Sequence, residues 1–375
     1  MIRPTVARVD LDAIRSNFQT ISRFLATSPN PPGVIAVVKA NAYGHGAAEV
    51  GLALEQAGAA MLACADIEEG IVLREGGVRG PILIFGALSV SDLEGLFTHD
   101  LTPTISTPSA ARAVQAAAAR HKVRIGCHLK VDTGMNRLGF RHDNIERTLP
   151  ELAASRDLRI DAIYTHFATA DNPEHSAFAA QRTRFEAAYT KLHALGLAPS
   201  LRHAANSAAL LRDERVWYDY VRPGLLLYGI VPPPLASTLA LRPALSLHSR
   251  IVAVKGLRPG EGSGYGLHAP FERPVTIAIV PAGYADGLDL RLAGRGHMLV
   301  RGRRAPIVGS VCMDMSMIEV TGTDVAPGDR VVIVGNQDDE AMGMREMAAA
   351  IGTIPYELLC RVGSRIQRVY ADSSA

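Results

Sequence analysis

VIAVVKA, at residues 34–40, is the stretch on which the fold turns. Val34 to Val38 run without a polar break and end on Lys39. An apolar run of this length, bounded by polar residues, reads as a strand buried on both faces, which is how strands of a parallel sheet look. Similar runs recur as AAMLACA (59–65), PILIFGA (81–87), LTPTIS (101–106), VRIGCHLKV (123–131), LRIDAIYTHF (158–167), PSLRHAA (199–205) and YVRPGLLLYG (220–229). Between them lie segments with helical periodicity, such as AAEVGLALEQAG (47–58) and SAARAVQAAAARH (109–121). Eight strand–helix units over about 230 residues predict an α/β fold with an N-terminal (β/α)8 barrel of the TIM type. The runs at 101–106 and 199–205 are the weak strands of the set. A doubly wound open sheet is the alternative, because closure is not written in the pattern.

Past residue 235 the pattern changes. VPPPLAS (231–237) reads as a junction. LSLHSRIVAVKGL (245–257), VTIAIVPAGY (275–284), APIVGSV (305–311), SMIEVTG (316–322) and DRVVIVG (329–335) are rich in Val and Ile and bounded by turn residues. They predict a mostly β second domain, with one short helix at MREMAAAIGT (344–353). The division expected is therefore 1–235 and 236–375, in keeping with a chain of 375 residues at roughly 150 per domain.

The chain carries 39 basic and 37 acidic residues, a formal net charge of +2, which argues against a nucleic-acid partner. With 48% hydrophobic residues there is ample core, and disorder is not expected. No apolar stretch has the length of a membrane span, and the N-terminus has no apolar signal region. Cys64, Cys127, Cys312 and Cys360 are scattered, with no CxxC pair, and read as small core residues in a reducing, cytoplasmic setting.

Polar residues at the ends of the predicted strands carry the chemistry. Lys39 ends the first run, Lys130 closes VRIGCHLK, His166 closes IDAIYTH, Asn206 and Ser207 follow LRHAA, and Arg222 lies in YVRPG. Alone, Lys39 is as well read as a lysine reaching out to solvent. If the runs are barrel strands, these residues converge on the C-terminal face, where barrel enzymes keep their sites. Desolvation there lowers the pKa of a lysine, as a Schiff-base nucleophile requires. The lining offers cations, hydroxyls and the backbone of Gly224, and so suits a phosphate. No Walker A, GxGxxG or HExxH sequence occurs, so nucleotide and metal chemistry are not signalled. A phosphate anchor beside a buried lysine is what pyridoxal phosphate requires. In the second domain Tyr265 stands in EGSGYGLH (261–268), by itself an ordinary glycine-rich hairpin loop. GYADG (283–287) carries a hairpin-type DG signal. VCMDMSMI (311–318) alternates as a strand would, with Met313 and Met315 as core residues.

AVVKANAYGHG, HLKVDTGMNRLGF, YTHFATAD, AANSAA, VRPGLLLYG, GYGLH, GYADG and GSVCMDMSMIEV follow one another from residue 36 to residue 320. In this order they resemble the successive motifs of the alanine racemases, and the resemblance runs over nearly the whole chain. It implies interconversion of L- and D-alanine, D-alanine for a cell wall, and pyridoxal 5'-phosphate linked to Lys39. It implies that Tyr43, Ser207, Tyr356 and the backbone of Gly224 and Leu225 hold the phosphate, with Asn206 among the cofactor-binding residues. Arg222 would bond the pyridine nitrogen, with His166 orienting it. Arg137 and Met313 would lie near the substrate, and Lys130 would be a site of carbamylation beside Arg137. Two bases on opposite faces of the substrate are implied, Lys39 for D-alanine and Tyr265 for L-alanine. Tyr265 and Met313 would reach into a partner's site, so the resemblance implies a homodimer with shared active sites. Ser310 departs from several relatives, which have arginine there. A racemase of another small amino acid such as serine, or a non-catalytic carrier of the cofactor, is the alternative reading.

Overall fold

A computed structural model describes residues 3–88, 90–267 and 270–371. The chain forms two units. The first strand, β1 (Val6–Asp10), belongs with the C-terminal part of the chain. The barrel unit is built from Ile14–Ala42 and Ala47–Leu241, while Tyr43–Gly46 groups with Arg242 onward and the stretch through Ala13. The units are thus not contiguous in sequence. The reason is local to β1, which pairs antiparallel with one strand of the second unit and parallel with another.

The barrel strands are β2 (Gly33–Val37), β3 (Met61–Cys64), β4 (Ile82–Ile84), β5 (Thr102–Ile105), β6 (Ile125–Asp132), β8 (Leu158–Tyr164), β9 (Leu201–Asn206) and β10 (Tyr220–Arg222). A two-residue strand, β7 (Phe140–Arg141), flanks β6. All neighbours are parallel, and the ring closes because β10 pairs with β2 and β5 pairs with β6. Closure decides against the open doubly wound sheet. Both weak runs form strands, supplied with partners on each side. Ile35, Ala63 and Leu83, from three adjacent strands, form an apolar cluster with Met61, Phe85 and Tyr220 packed on it.

The helices between strands begin where the sequence caps them. Thr107 accepts a hydrogen bond from Ala110 N at 3.1 Å, with Pro108 in the first turn of Pro108–His121. Asp66 accepts from Glu69 N at 2.9 Å at the head of Ile67–Glu75.

The second unit is a sheet of β11 (Leu245–Arg250), β12 (Ala253–Leu257), β13 (Val275–Val280), β14 (His297–Val300), β15 (Arg303–Val308), β16 (Ser316–Glu319), β17 (Arg330–Gln337), β18 (Glu340–Met342) and β19 (Gln367–Ala371), together with β1. Its short helix, Met344–Ala350, lies where the sequence predicts one. Three local readings change. The alternating stretch 311–318 is a strand only from Ser316, because the carbonyls of Cys312 and Met313 accept from Tyr284 N and Ala285 N in a loop. Met313 and Met315 are exposed rather than core. The Asp286-Gly287 pair is no hairpin tip: β13 and β14, which flank it, do not pair with each other. Instead the fully buried Asp286 carboxylate binds Arg3, Arg365 and Gly283 N. Cys64 and Cys127 are buried as expected, but Cys360 is exposed at the end of the helix Pro355–Cys360.

Candidate active site at the mouth of the barrel

Parallel register carries a set of polar side chains to the C-terminal end of the barrel. On β6, His128 and Lys130 are two residues apart and so share a face. Thr104 lies opposite His128, Lys130 opposite Tyr164, and Tyr164 opposite His203. Arg222 ends β10 beside Asn206. Lys39 follows β2 by two residues and is half-buried.

Arg222 is almost fully buried, at 3% exposure, and among the described residues its guanidinium meets backbone carbonyls and imidazoles rather than a carboxylate. Its guanidinium donates to Thr165 O at 2.8 Å, to Ala204 O at 3.0 Å and to His203 Nδ1 at 2.8 Å. His166 Nδ1 is more distant, at 3.4 Å. Burial brings the guanidinium down to about 10, which leaves it charged at neutral pH. The His203 ring stacks on Tyr164, with centroids 4.7 Å apart, and its Nε2 is 3.0 Å from His128 Nδ1. The Tyr164 ring lies under two cations, Arg222 at 5.2 Å and Lys130 at 5.7 Å from its centroid. Burial pushes its phenol up to about 12, so it stays neutral, and it pairs with Thr104 Oγ1 at 3.0 Å.

The mouth is strongly positive. Burial, then Arg137, Arg222 and Lys39, bring Lys130 down to about 8. Burial and the same cations hold His166 well below the usual imidazole range. A neutral His166 is therefore an acceptor for one of these cations. Beside these cations Ser207 Oγ accepts from Gly224 N at 2.9 Å and from Leu226 N at 3.4 Å. Asn206 caps the helix Ser207–Arg212 through Ala209 N at 2.9 Å. Leu225 is buried in the turn that follows.

Of the remaining expected site residues, Tyr43, Tyr265, Met313 and Tyr356 belong to the second unit and Arg137 to the barrel. Tyr43 is buried, with its ring 6.0 Å from that of Tyr356. Tyr265 is 78% exposed in the segment between β12 and β13, where Ser310 Oγ donates to its carbonyl at 2.5 Å. Met313 is 51% exposed. Arg137 is exposed on the loop after β6. Among the described residues no cluster of His, Cys, Asp or Glu could hold a metal, and no helix is long and apolar enough to cross a membrane.

His203, His128, Tyr164 and Gln181 did not stand out in the sequence. Gln181, buried, donates to Thr133 Oγ1 at 3.2 Å and to His166 O at 3.0 Å, and accepts from Ala168 N at 2.9 Å. The alternation of His128 with Lys130 was the one available sign that a polar layer lines the barrel interior.

A closed parallel barrel with two lysines and a buried arginine at its mouth, followed by a β unit, defines a barrel enzyme for an anionic ligand. Comparison with known proteins narrows this. Residues 9–232 match the model for the alanine racemase N-terminal domain, and residues 244–370 that for the C-terminal domain. The alanine racemase of Carboxydothermus hydrogenoformans is 41% identical over 98% of this chain and 100% of its own length. That of Symbiobacterium thermophilum is 39% identical over 100% and 99%. Among solved structures, the alanine racemase from D-cycloserine producing Streptomyces lavendulae superposes with a TM-score of 0.94 at 33% identity, over 100% of this chain and 98% of that one. The Bacillus anthracis enzyme with bound L-Ala-P gives 0.92 at 34% identity, over 100% and 97%. The chain belongs to the alanine racemase family.

Proposed function

We propose that Lys39 and Tyr265 are the two bases by which this chain interconverts L- and D-alanine. The activity and its cofactor, pyridoxal phosphate, follow from membership of the family over the whole chain. The observation that carries the site assignment is the buried, cation-rich mouth around Arg222. Such a lining fits the group: a half-buried lysine to bond it, the Ser207 hydroxyl, whose oxygen accepts from the amides of Gly224 and Leu226 and whose O–H is left to donate to a phosphate, and a fixed cation for its ring. Tyr43, Tyr356 and the backbone at Gly224 and Leu225 complete the proposed phosphate set, with Asn206 beside the cofactor. When bound, the cofactor withdraws electrons from the substrate's α-carbon and so acidifies its proton.

Racemisation removes the α-proton on one face and returns one on the other, and two bases do this without turning the substrate. Lys39 Nζ serves the face of D-alanine. The phenol oxygen of Tyr265 serves the face of L-alanine, and needs cationic surroundings to lose its proton near neutral pH. Arg222 keeps its proton, so it would offer the cofactor's ring nitrogen a hydrogen bond without protonating it, a pairing that would disfavour transamination. The neutral His203 holds Arg222 in line, with His166 as a second, longer partner. Arg137 and Met313 border the substrate.

Two finer assignments belong to the same proposal. Lys130, brought down to about 8, has a neutral amine fraction at neutral pH. Its Nζ attacks carbon dioxide, an N–C bond forms, one proton leaves to solvent, and the carbamate faces Arg137. Tyr265, Leu267, Met313 and Met315 are large apolar side chains exposed on the β unit. A second copy of the chain covers them, and Tyr265 with Met313 enters that copy's site.

Chiral chromatography of L-alanine incubated with protein and pyridoxal phosphate tests the reading. D-alanine should form to an equal mixture, without pyruvate. Tyr265→Phe should lose at least about 100-fold in turnover while keeping the cofactor's absorption. Undiminished turnover in that variant would remove Tyr265 as a base; serine racemised in preference to alanine would move the substrate assignment.

A further inference from the structure

After β2 the chain does not enter a right-handed helix. Ala40, Asn41 and Ala42 have φ of 53° and Tyr43 has φ of 52°, with ψ of 52°, 48° and 50° at the first three. This is one turn of left-handed helix, made without glycine. For residues with a Cβ this region is strained, so the turn needs support from outside itself.

Within the barrel unit that support centres on Glu69. Its Oε1 accepts from Ala40 N at 2.6 Å, and its Oε2 accepts from Ala65 N at 2.7 Å. Ala40 is the residue after Lys39; Ala65 is the residue after β3. One carboxylate therefore joins the ends of two adjacent barrel strands. Glu69 is the third residue of the helix Ile67–Glu75, and Asp66 caps that helix through Glu69 N. A glutamate at this position commonly reaches back to the amide of the capping residue itself. Here it reaches past the cap to the lysine-bearing turn. Asn41 Oδ1, accepting from Ala47 N at 2.8 Å, and Ala42 N, donating to Val38 O at 2.8 Å, hold the same turn from its other sides.

We propose that Glu69 is a positioning residue for Lys39: its carboxylate ties the first amide of the left-handed turn to the neighbouring strand and so sets the direction in which the Lys39 side chain leaves the backbone. The role in catalysis rests on the assignment of Lys39 as a base. The chemistry requires a carboxylate. Both partners are N–H donors, and only an ionised acid presents two acceptor oxygens. Glutamine has one oxygen and one NH2, so in either orientation one amide faces a donor. Aspartate is one methylene shorter and cannot span both.

The test compares cofactor-loaded Glu69→Gln with the parent and with Glu68→Gln, an exposed carboxylate of the same helix. Amide hydrogen exchange and steady-state kinetics are read together. In Glu69→Gln, exchange in the segment 38–44 should accelerate by about tenfold or more while the rest of the barrel is unchanged. The kcat should fall about 10- to 100-fold with little change in KM, because a misdirected base costs turnover rather than binding. Glu68→Gln should match the parent in both. Exchange and kcat within about twofold of the parent would overturn the proposal. So would lost activity with exchange raised evenly across the barrel, which marks a general structural role. If Glu69→Gln does not fold, Glu69→Asp replaces it, with the same local change expected and the same uniform change overturning. Lys39→Ala separates the two claims: full racemisation in that variant would remove Lys39 as a base, while local exchange would still report the clamp.

Discussion

Arg222 is the residue around which the mouth of the barrel is ordered. A guanidinium has donors only, so His203 Nδ1 must accept from it. His203 Nε2 then carries the proton and donates to His128 Nδ1. Charging either imidazole would set two donors against each other, and burial together with Arg222 disfavours this. His203 is held well below the usual range, and His128 is brought down to about 4. The consequence is a pH dependence with a definite sign. Between about pH 6.5 and pH 4 the unfolded chain binds a proton at residue 128 that the folded chain does not, so stability falls as pH falls through that window. For His128 the loss is about 3 kcal/mol. Denaturant melts at pH 6.5 and pH 4.5 should show this drop, and a His128→Phe variant should show a smaller one. An unchanged pH dependence in that variant would mean that His128 ionises freely.

At the scale of elements, turns hold what the strands deliver. In Gly44 the backbone has φ of +78°, and an added Cβ would lie 2.2 Å from Leu359 O within the same unit. Nothing flexible can yield there, because the obstacle is a backbone carbonyl. Gly44→Ala should destabilise the β unit by about 2 kcal/mol or more, read as a lower unfolding midpoint. A midpoint equal to the parent's would show that the turn has room. The same scale separates legible from illegible features. The strands of the barrel could be read from runs such as VIAVV, because both faces of each are buried. The left-handed turn at 40–43 could not, since ANAY has no residue that demands positive φ. Among the contacts that hold it is Glu69, 29 residues away, which accepts the amide of Ala40.

For the whole molecule, the exposed apolar side chains of the β unit call for a covering surface, and a second copy is the proposed one. If Tyr265 serves the partner's site, Lys39→Ala and Tyr265→Ala proteins are each inactive alone. Mixed and allowed to exchange subunits, they should regain up to about a quarter of parental activity. A random mixture is half heterodimer, and each heterodimer keeps one of its two sites intact. Verified exchange without recovered activity would sink the shared-site proposal.

The set of strands, the order of the motifs and the identity of the groups at the strand ends are all legible in the sequence. Burial on both faces forces continuous apolar runs, and an ionisable residue at the end of such a run is costly enough to be noticed: Lys39, Lys130 and Arg222 were found in this way. Tertiary structure alone decided that the eight strands close, through β10 on β2 and β5 on β6, since strand pairing between distant segments leaves no local mark. It also decided that β1 joins the C-terminal sheet, that His203 rather than His166 is the nearer imidazole to Arg222, and that Glu69 braces the lysine turn. Each of these is a contact between residues far apart in the chain. Hydrogen bonds of that kind depend on register and distance, and neither composition nor periodicity records them.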